Sequence, residues 1–183
     1  MRPALVMGVP ALVLTASVGG AGPPRDAPYV GTSPAVVQRM VELAQLRPGD
    51  VVYDLGCGDG RIVIAAVKVA GVRGVCVEID PALVRLSRDE AERAGVAGRI
   101  SVVEGDLFKV PIQDATVVML YLLREVNLRL RPRLLAELRP GTRVVSNAFD
   151  MGDWEPELAV VVGPPGFTPV YRWTVPSRPS SGR

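Results

Sequence analysis

The stretch of this 183-residue chain best equipped for chemistry is Asp54-Leu55-Gly56-Cys57-Gly58-Asp59-Gly60. A carboxylate is followed by three glycines at alternate positions, and the apolar run Val51-Val52-Tyr53 leads into it. Glycine is needed where the backbone takes positive φ or where a ligand lies directly on the main chain. The dinucleotide fingerprint G-x-G-x-x-G would place glycine at position 61, and Arg61 stands there. Glu78 follows 24 residues after Asp54, the spacing at which an acid accepts hydrogen bonds from ribose hydroxyls. A solvated strand-end cap is the plainer role for it. Asp106, in Gly105-Asp106-Leu107, is a second acid that follows an apolar run, and a turn is its plainer role. Tyr121 closes the apolar run from Ala115 to Leu120. Asn127 lies six residues on, able to donate or accept near the site or simply to sit on a helix surface. Asp59 and Arg61 read as loop and helix-start polar residues.

These groups need elements to hold them. Val51 to Tyr53 reads as a strand, the glycines as a tight turn, and Gly60 to Ala70 as the helix that follows. Ser33-Pro34 is an N-cap with proline at the first helical position. Val36, Val37, Met40, Val41 and Leu43 to Leu46 then line a helix that stops at Pro48-Gly49. Gly74 to Ile79 is the second strand, and Pro81 opens a helix to about Ala94, closed by Gly95. Ile100 to Val103 is the third strand. Ala115 to Leu120 is the fourth, continuously apolar as a central parallel strand is. Leu122 to Leu138 reads as helical with an interruption near Pro132, and Arg143 to Ser146 as the fifth strand. Leu158 to Val162 and Val170 to Val175 form a closing antiparallel pair around Gly163-Pro164-Pro165-Gly166. The alternation predicts an α/β domain with a mostly parallel sheet and helices on both faces. In such a sheet, ligands bind beyond the carboxyl ends of the strands.

Composition narrows the chemistry. With 48% hydrophobic residues and a net charge of +2, the chain is one globular domain with no bulk electrostatic case for nucleic acid. It contains no histidine, which excludes Ser-His-Asp catalysis, histidine-ligated metals and a histidine base. Two cysteines, Cys57 and Cys76, suit neither a disulfide framework nor a metal cluster. They read as a loop filler and a core residue in a reduced setting. Residues 1–28 are an apolar segment, Ala4 to Val18, plus a Gly/Pro linker. The outline is that of a secretory signal or short membrane anchor, or of a start placed too far upstream, though shorter than the roughly 20 residues that span a bilayer. The domain proper occupies residues 29–175, and 176–183 read as a disordered tail.

The run Asp54 to Gly60 resembles the first motif of class I S-adenosylmethionine methyltransferases. Around it, in order, stand Tyr29-Val30-Gly31-Thr32, Arg61-Ile62-Val63, Gly105-Asp106-Leu107-Phe108, Leu120-Tyr121-Leu122-Leu123 with Asn127, Gly141-Thr142-Arg143-Val144-Val145-Ser146, and Trp154-x-Pro156. Together they resemble the small protein-lysine methyltransferase family. It includes archaeal broad-specificity enzymes and mitochondrial enzymes acting on the ATP synthase c subunit and the adenine nucleotide translocase. The resemblance covers about Tyr29 to Pro156 and implies a Rossmann-like class I methyltransferase fold.

The resemblance also implies a cofactor, S-adenosylmethionine, held by Tyr29, Thr32, Asp54, Gly56, Cys57, Gly58, Glu78, Ile79, Asp106 and Leu107. Asp106 would take the adenine amino group and Ile79 would pack on the ring. Tyr121 would face the methyl group and, with Asn127, act at the reacting nitrogen. Trp154 would wall the pocket or cover the sheet edge. Gly31 departs from the family's Tyr-Val-Pro-Thr pattern and loosens the loop expected over the methionine end. The implied partner is a protein lysine, with no metal, no nucleic acid, and membrane association through residues 4–18. The apolar N-terminal segment points to the cytoplasmic face, with that segment as a membrane anchor, ahead of an exported form. A small-molecule or RNA methyltransferase, or a non-catalytic S-adenosylmethionine-binding protein, is the alternative. The absence of Asn/Asp-Pro-Pro-Tyr/Phe after the fourth strand speaks against a nucleic-acid amino-methyltransferase. Arg124, Arg129, Arg131, Arg133 and Arg139 read as a solvated helix face.

Overall fold

The computed structural model describes residues 29–69, 71–163 and 167–177. The readings made of residues 1–28 and of most of the tail therefore lie outside the described residues. Along the chain come α1 (Pro34–Ala44), β1 (Val51–Leu55), α2 (Arg61–Val67), β2 (Arg73–Glu78), α3 (Pro81–Arg93), β3 (Ile100–Glu104), β4 (Val117–Leu120), α4 (Arg124–Glu137), β5 (Arg143–Asn147), β6 (Leu158–Val162) and β7 (Thr168–Thr174). A single 3-10 turn, Ala97–Arg99, precedes β3. No described helix is long and apolar enough to cross a membrane.

Local sequence sets the helix starts. Ser33 Oγ accepts from the Val36 N–H at 3.4 Å, and Asp80 Oδ1 from the Ala82 N–H at 2.7 Å. Each cap is followed by a proline whose missing N–H is not needed there. Gly60, with φ at 79°, turns the chain directly into α2. Pro132 does not interrupt α4, which runs through it from Arg124 to Glu137. The helix loses one backbone bond at the proline, but Val126, Leu130 and Leu134 are buried against the sheet and hold it.

The seven strands lie in the order β3-β2-β1-β4-β5-β7-β6. The first five are parallel, and β7 runs antiparallel between β5 and β6. The period-2 alternation of side chains builds a core on each face. On β4, Val117 and Met119 join one core with α1 and α2, while Val118 and Leu120 join the other with α4. The chain order reverses between β1 and β4, which opens a crevice at their carboxyl ends.

The two cysteines are not independent residues. Cys57 and Cys76 form a disulfide with their Cα atoms 5.4 Å apart. β1 and β2 pair with Asp54 opposite Cys76. The glycine loop then doubles back over β2, with Gly56 N and Cys57 N both donating to the Val77 carbonyl at 2.8 and 3.1 Å. The chain separation of 19 residues gave no sign of this proximity. The reading of a reduced setting, which rested on unpaired thiols, falls with it.

Candidate active site

The crevice is lined by the glycine loop, the ends of β2 and β4, the start of α3, the turn after β3 and the segment ahead of α1. Gly56, Gly58 and Gly60 all have positive φ. A Cβ at Gly56 would come within 2.8 Å of Leu122 Cδ2, and one at Gly58 within 2.7 Å of the Tyr29 ring. The loop therefore presents bare backbone on both sides. Glu78, buried at the end of β2, accepts the Gly58 N–H through Oε2 at 3.0 Å. Its Oε1 accepts the N–H groups of Ile79 and Asp80 at 2.8 and 3.0 Å.

Beneath the loop lies Asp54, 1% exposed. Burial pushes its carboxyl up to about 7, the Val63 backbone N–H opposes this, and the charges of Asp59 and Glu78 push further the same way. Among the described residues, its Oδ2 has no hydrogen-bond partner. A buried, partnerless carboxylate oxygen is unfavourable unless something polar reaches it.

On the other wall, Asp106 Oδ1 accepts the Phe108 N–H at 2.9 Å, and Oδ2 pairs with the exposed Lys109 ammonium at 3.1 Å. The Phe108 N–H first, then Lys109, hold this carboxyl below the usual range. The turn is pinned from behind by α4. Arg133 donates to the Leu107 carbonyl at 2.6 Å and to the Val110 carbonyl, and pairs with Glu137.

Ten of the expected residues meet in this crevice: Tyr29, Thr32, Gly56, Cys57, Gly58, Glu78, Ile79, Asp106, Leu107 and Tyr121. Asp54 underlies it. Asn127 does not line it. That side chain is fully buried on α4, where Nδ2 donates to Ser146 Oγ and to the carbonyls of Phe149 and Asp150 at 3.2–3.3 Å. It anchors the segment after β5, on the opposite face of the sheet from Tyr121. Trp154 also lies outside the crevice lining, stacked at a tilt on Trp173 and accepting its indole N–H at 2.6 Å. Leu83 is a lining residue that the sequence did not single out. The signal was present, since it sits in the first helical turn after Glu78-Ile79-Asp80-Pro81.

The arrangement suits S-adenosylmethionine. A glycine cradle meets the strand-end acid Glu78, and a second acid, Asp106, lines the same crevice with the apolar side chains of Ile79 and Leu107. An orphaned carboxylate oxygen lies below, where a cationic ligand is favourable. Comparison with known proteins agrees. Residues 54–158 match the ANTKMT methyltransferase domain. The chain belongs to that methyltransferase family. This methyltransferase domain is 48% identical over 136 residues to a protein-lysine N-methyltransferase of Saccharolobus islandicus, which covers 74% of this chain and 84% of that one. It is 40% identical to the mouse adenine nucleotide translocase lysine N-methyltransferase, again over 74% of this chain but 59% of the relative. The domain thus spans little more than half of the mammalian relative's length. A solved structure described as an RNA methyltransferase from Salinibacter ruber in complex with S-adenosyl-L-homocysteine superposes with a TM-score of 0.78 at 51% identity, covering 84% of this chain and 98% of that one.

The arginines of α4 and its C-terminal end are engaged locally. Arg124 pairs with Asp150, Arg131 with Asp153 and Arg139 with Asp114, and Arg129 stacks 4.2 Å above the Phe108 ring. With Arg133 holding the Leu107 turn, this helix is not a row of uncommitted cations.

Proposed function

We propose that this methyltransferase transfers a methyl group from S-adenosylmethionine to lysine side chains of proteins. The observation that carries the reading is the convergence of the glycine loop, Glu78 and Tyr121 at one crevice, supported by the lysine-specific relatives. When bound, S-adenosylmethionine supplies a methyl group already activated on a sulfonium. The chain then has three tasks: to position the nucleophile, exclude water and keep the amine neutral. A free lysine amine titrates at about 10.4, and enclosure in a desolvated mouth lowers that value. No histidine is required, and none exists in the chain. Tyr121, half-buried where β4 ends, offers a ring face to the ammonium and a hydroxyl to orient the amine after its proton has left.

The relative from Salinibacter ruber makes RNA the second acceptor to weigh. Against RNA stand the net charge of +2 and the local engagement of the α4 arginines by neighbouring acids, backbone carbonyls and the Phe108 ring. The test is incubation of the purified protein with labelled S-adenosylmethionine and a host lysate, followed by protease or ribonuclease. Label released by protease alone supports the lysine reading, and label released by ribonuclease alone replaces it.

A further inference from the structure

The Arg61 guanidinium joins the glycine loop to the segment ahead of α1. One edge is taken by Asp59, with Nε 3.0 Å from both carboxylate oxygens and Nη2 2.6 Å from Oδ2. The other edge faces residues 29–32. Nη1 donates to the Thr32 carbonyl at 2.8 Å and Nη2 to the Tyr29 hydroxyl at 3.4 Å. A planar fork with fixed donors can serve both edges at once, and an ammonium cannot. Gly31 is part of the fit. A Cβ there would stand 2.7 Å from Nη1 and 3.0 Å from Cζ, so the guanidinium lies on a bare Cα. The outer half of the segment has little apolar anchorage, since Tyr29 is 43% and Val30 55% exposed, while Thr32, whose carbonyl Arg61 holds, is buried.

We propose that Arg61, oriented by Asp59, is the positioning residue that docks segment 29–32 over the cofactor crevice, and that Gly31 is the notch that admits the guanidinium. The inference rests on the reading of this crevice as the S-adenosylmethionine site. Gly31 is then not a loosening of the segment but the complement of Arg61. A methyl group at position 31 meets the far end of a flexible side chain, which yields by moving off the Thr32 carbonyl.

The test combines backbone 15N relaxation of residues 30–32 with calorimetric titration of S-adenosylhomocysteine. It is run on wild type, Arg61→Ala, Arg61→Lys, Gly31→Ala and the Arg61→Ala/Gly31→Ala double variant. In wild type without ligand, the order parameters of these amides should be near the rigid value of about 0.85, and in Arg61→Ala they should fall below about 0.6. β4 and β5 should stay unchanged. Affinity should weaken about ten-fold, as expected for loss of charge-assisted hydrogen bonds. Arg61→Lys should not restore either quantity. Gly31→Ala should weaken the wild type and add nothing to Arg61→Ala, the signature of one shared interaction. Unchanged order parameters in Arg61→Ala, full function in Arg61→Lys, or additive effects of the two alanines would each overturn the proposal. A wild type that binds no S-adenosylhomocysteine would instead remove the cofactor reading, and the relaxation data would still decide the docking role.

Discussion

Glu78 grips the glycine loop by its backbone: the carboxylate Oε2 accepts the Gly58 N–H at 3.0 Å. The acid proposed to meet the ribose is therefore also the group that shapes the glycine loop. An ionised carboxylate has about four acceptor sites, and Gly58, Ile79 and Asp80 occupy three of them here. Binding to a ribose hydroxyl uses what remains or exchanges with the Gly58 bond.

Glu78→Ala should thus remove both a direct acceptor and the loop's shape. The expected loss of S-adenosylhomocysteine affinity is about 1.5–3 kcal/mol, the range for hydrogen bonds to charged groups. Calorimetry returning wild-type affinity would remove Glu78 from the site.

Asp54 makes the ligand-free protein less stable as pH rises. Its carboxyl titrates at 3.8 when unfolded and at about 7 in the fold, with burial as the main cause. Between those values the native state binds more protons than the unfolded state, so stability falls with increasing pH. The penalty is absent below both values and complete above 7, where it is on the order of a few kcal/mol. Asp54→Asn keeps an acceptor for the Val63 N–H and removes the charge. It should raise the melting temperature at pH 8 and leave it nearly unchanged at acidic pH. Equal shifts at both would contradict the burial account.

Tyr121 and Asn127 should separate in their effects. Tyr121→Phe removes the hydroxyl at the mouth, so turnover should drop while S-adenosylhomocysteine affinity holds. The drop should be about ten-fold or less, below the roughly 10²–10⁴-fold of a true acid or base. Full activity would reduce the tyrosine to packing. Asn127→Ala instead leaves buried acceptors unpaired and should lower stability by about 2 kcal/mol with affinity intact. Denaturant unfolding beside calorimetry distinguishes the two.

The Cys57–Cys76 pairing predicts that protein unfolded without reductant takes up no alkylating reagent, and that reduced protein takes up two equivalents. Mass spectrometry reads this directly. Uptake of two equivalents without reductant would contradict the pairing.

Much of this molecule was legible in its sequence because it is written in local rules. Proline after the capping Ser33, and Pro81 at the head of α3, mark helix starts, and alternating glycines after Asp54 mark the turn. Continuous apolar residues at Val117 to Leu120 mark a central strand. What was not legible depends on contacts between distant segments. Cys57 meets Cys76 because the loop folds back over β2. Asn127 turns to the Ser146–Asp150 segment rather than to the crevice because the sheet lies between it and Tyr121. Arg61 reaches Thr32, 29 residues away, and no spacing rule predicts that bond. Pro132 signals an interruption by local propensity, while the burial of Leu130 and Leu134 that overrides it is tertiary.

The central claim is that the methyl group ends on a lysine nitrogen. Its most direct measurement is chromatography of the total acid hydrolysate of protein labelled by the purified enzyme and S-adenosylmethionine. Radioactivity that co-migrates with Nε-methyllysines is the predicted result. Label found in methylated nucleosides or in small molecules, with none in methyllysine, would contradict it.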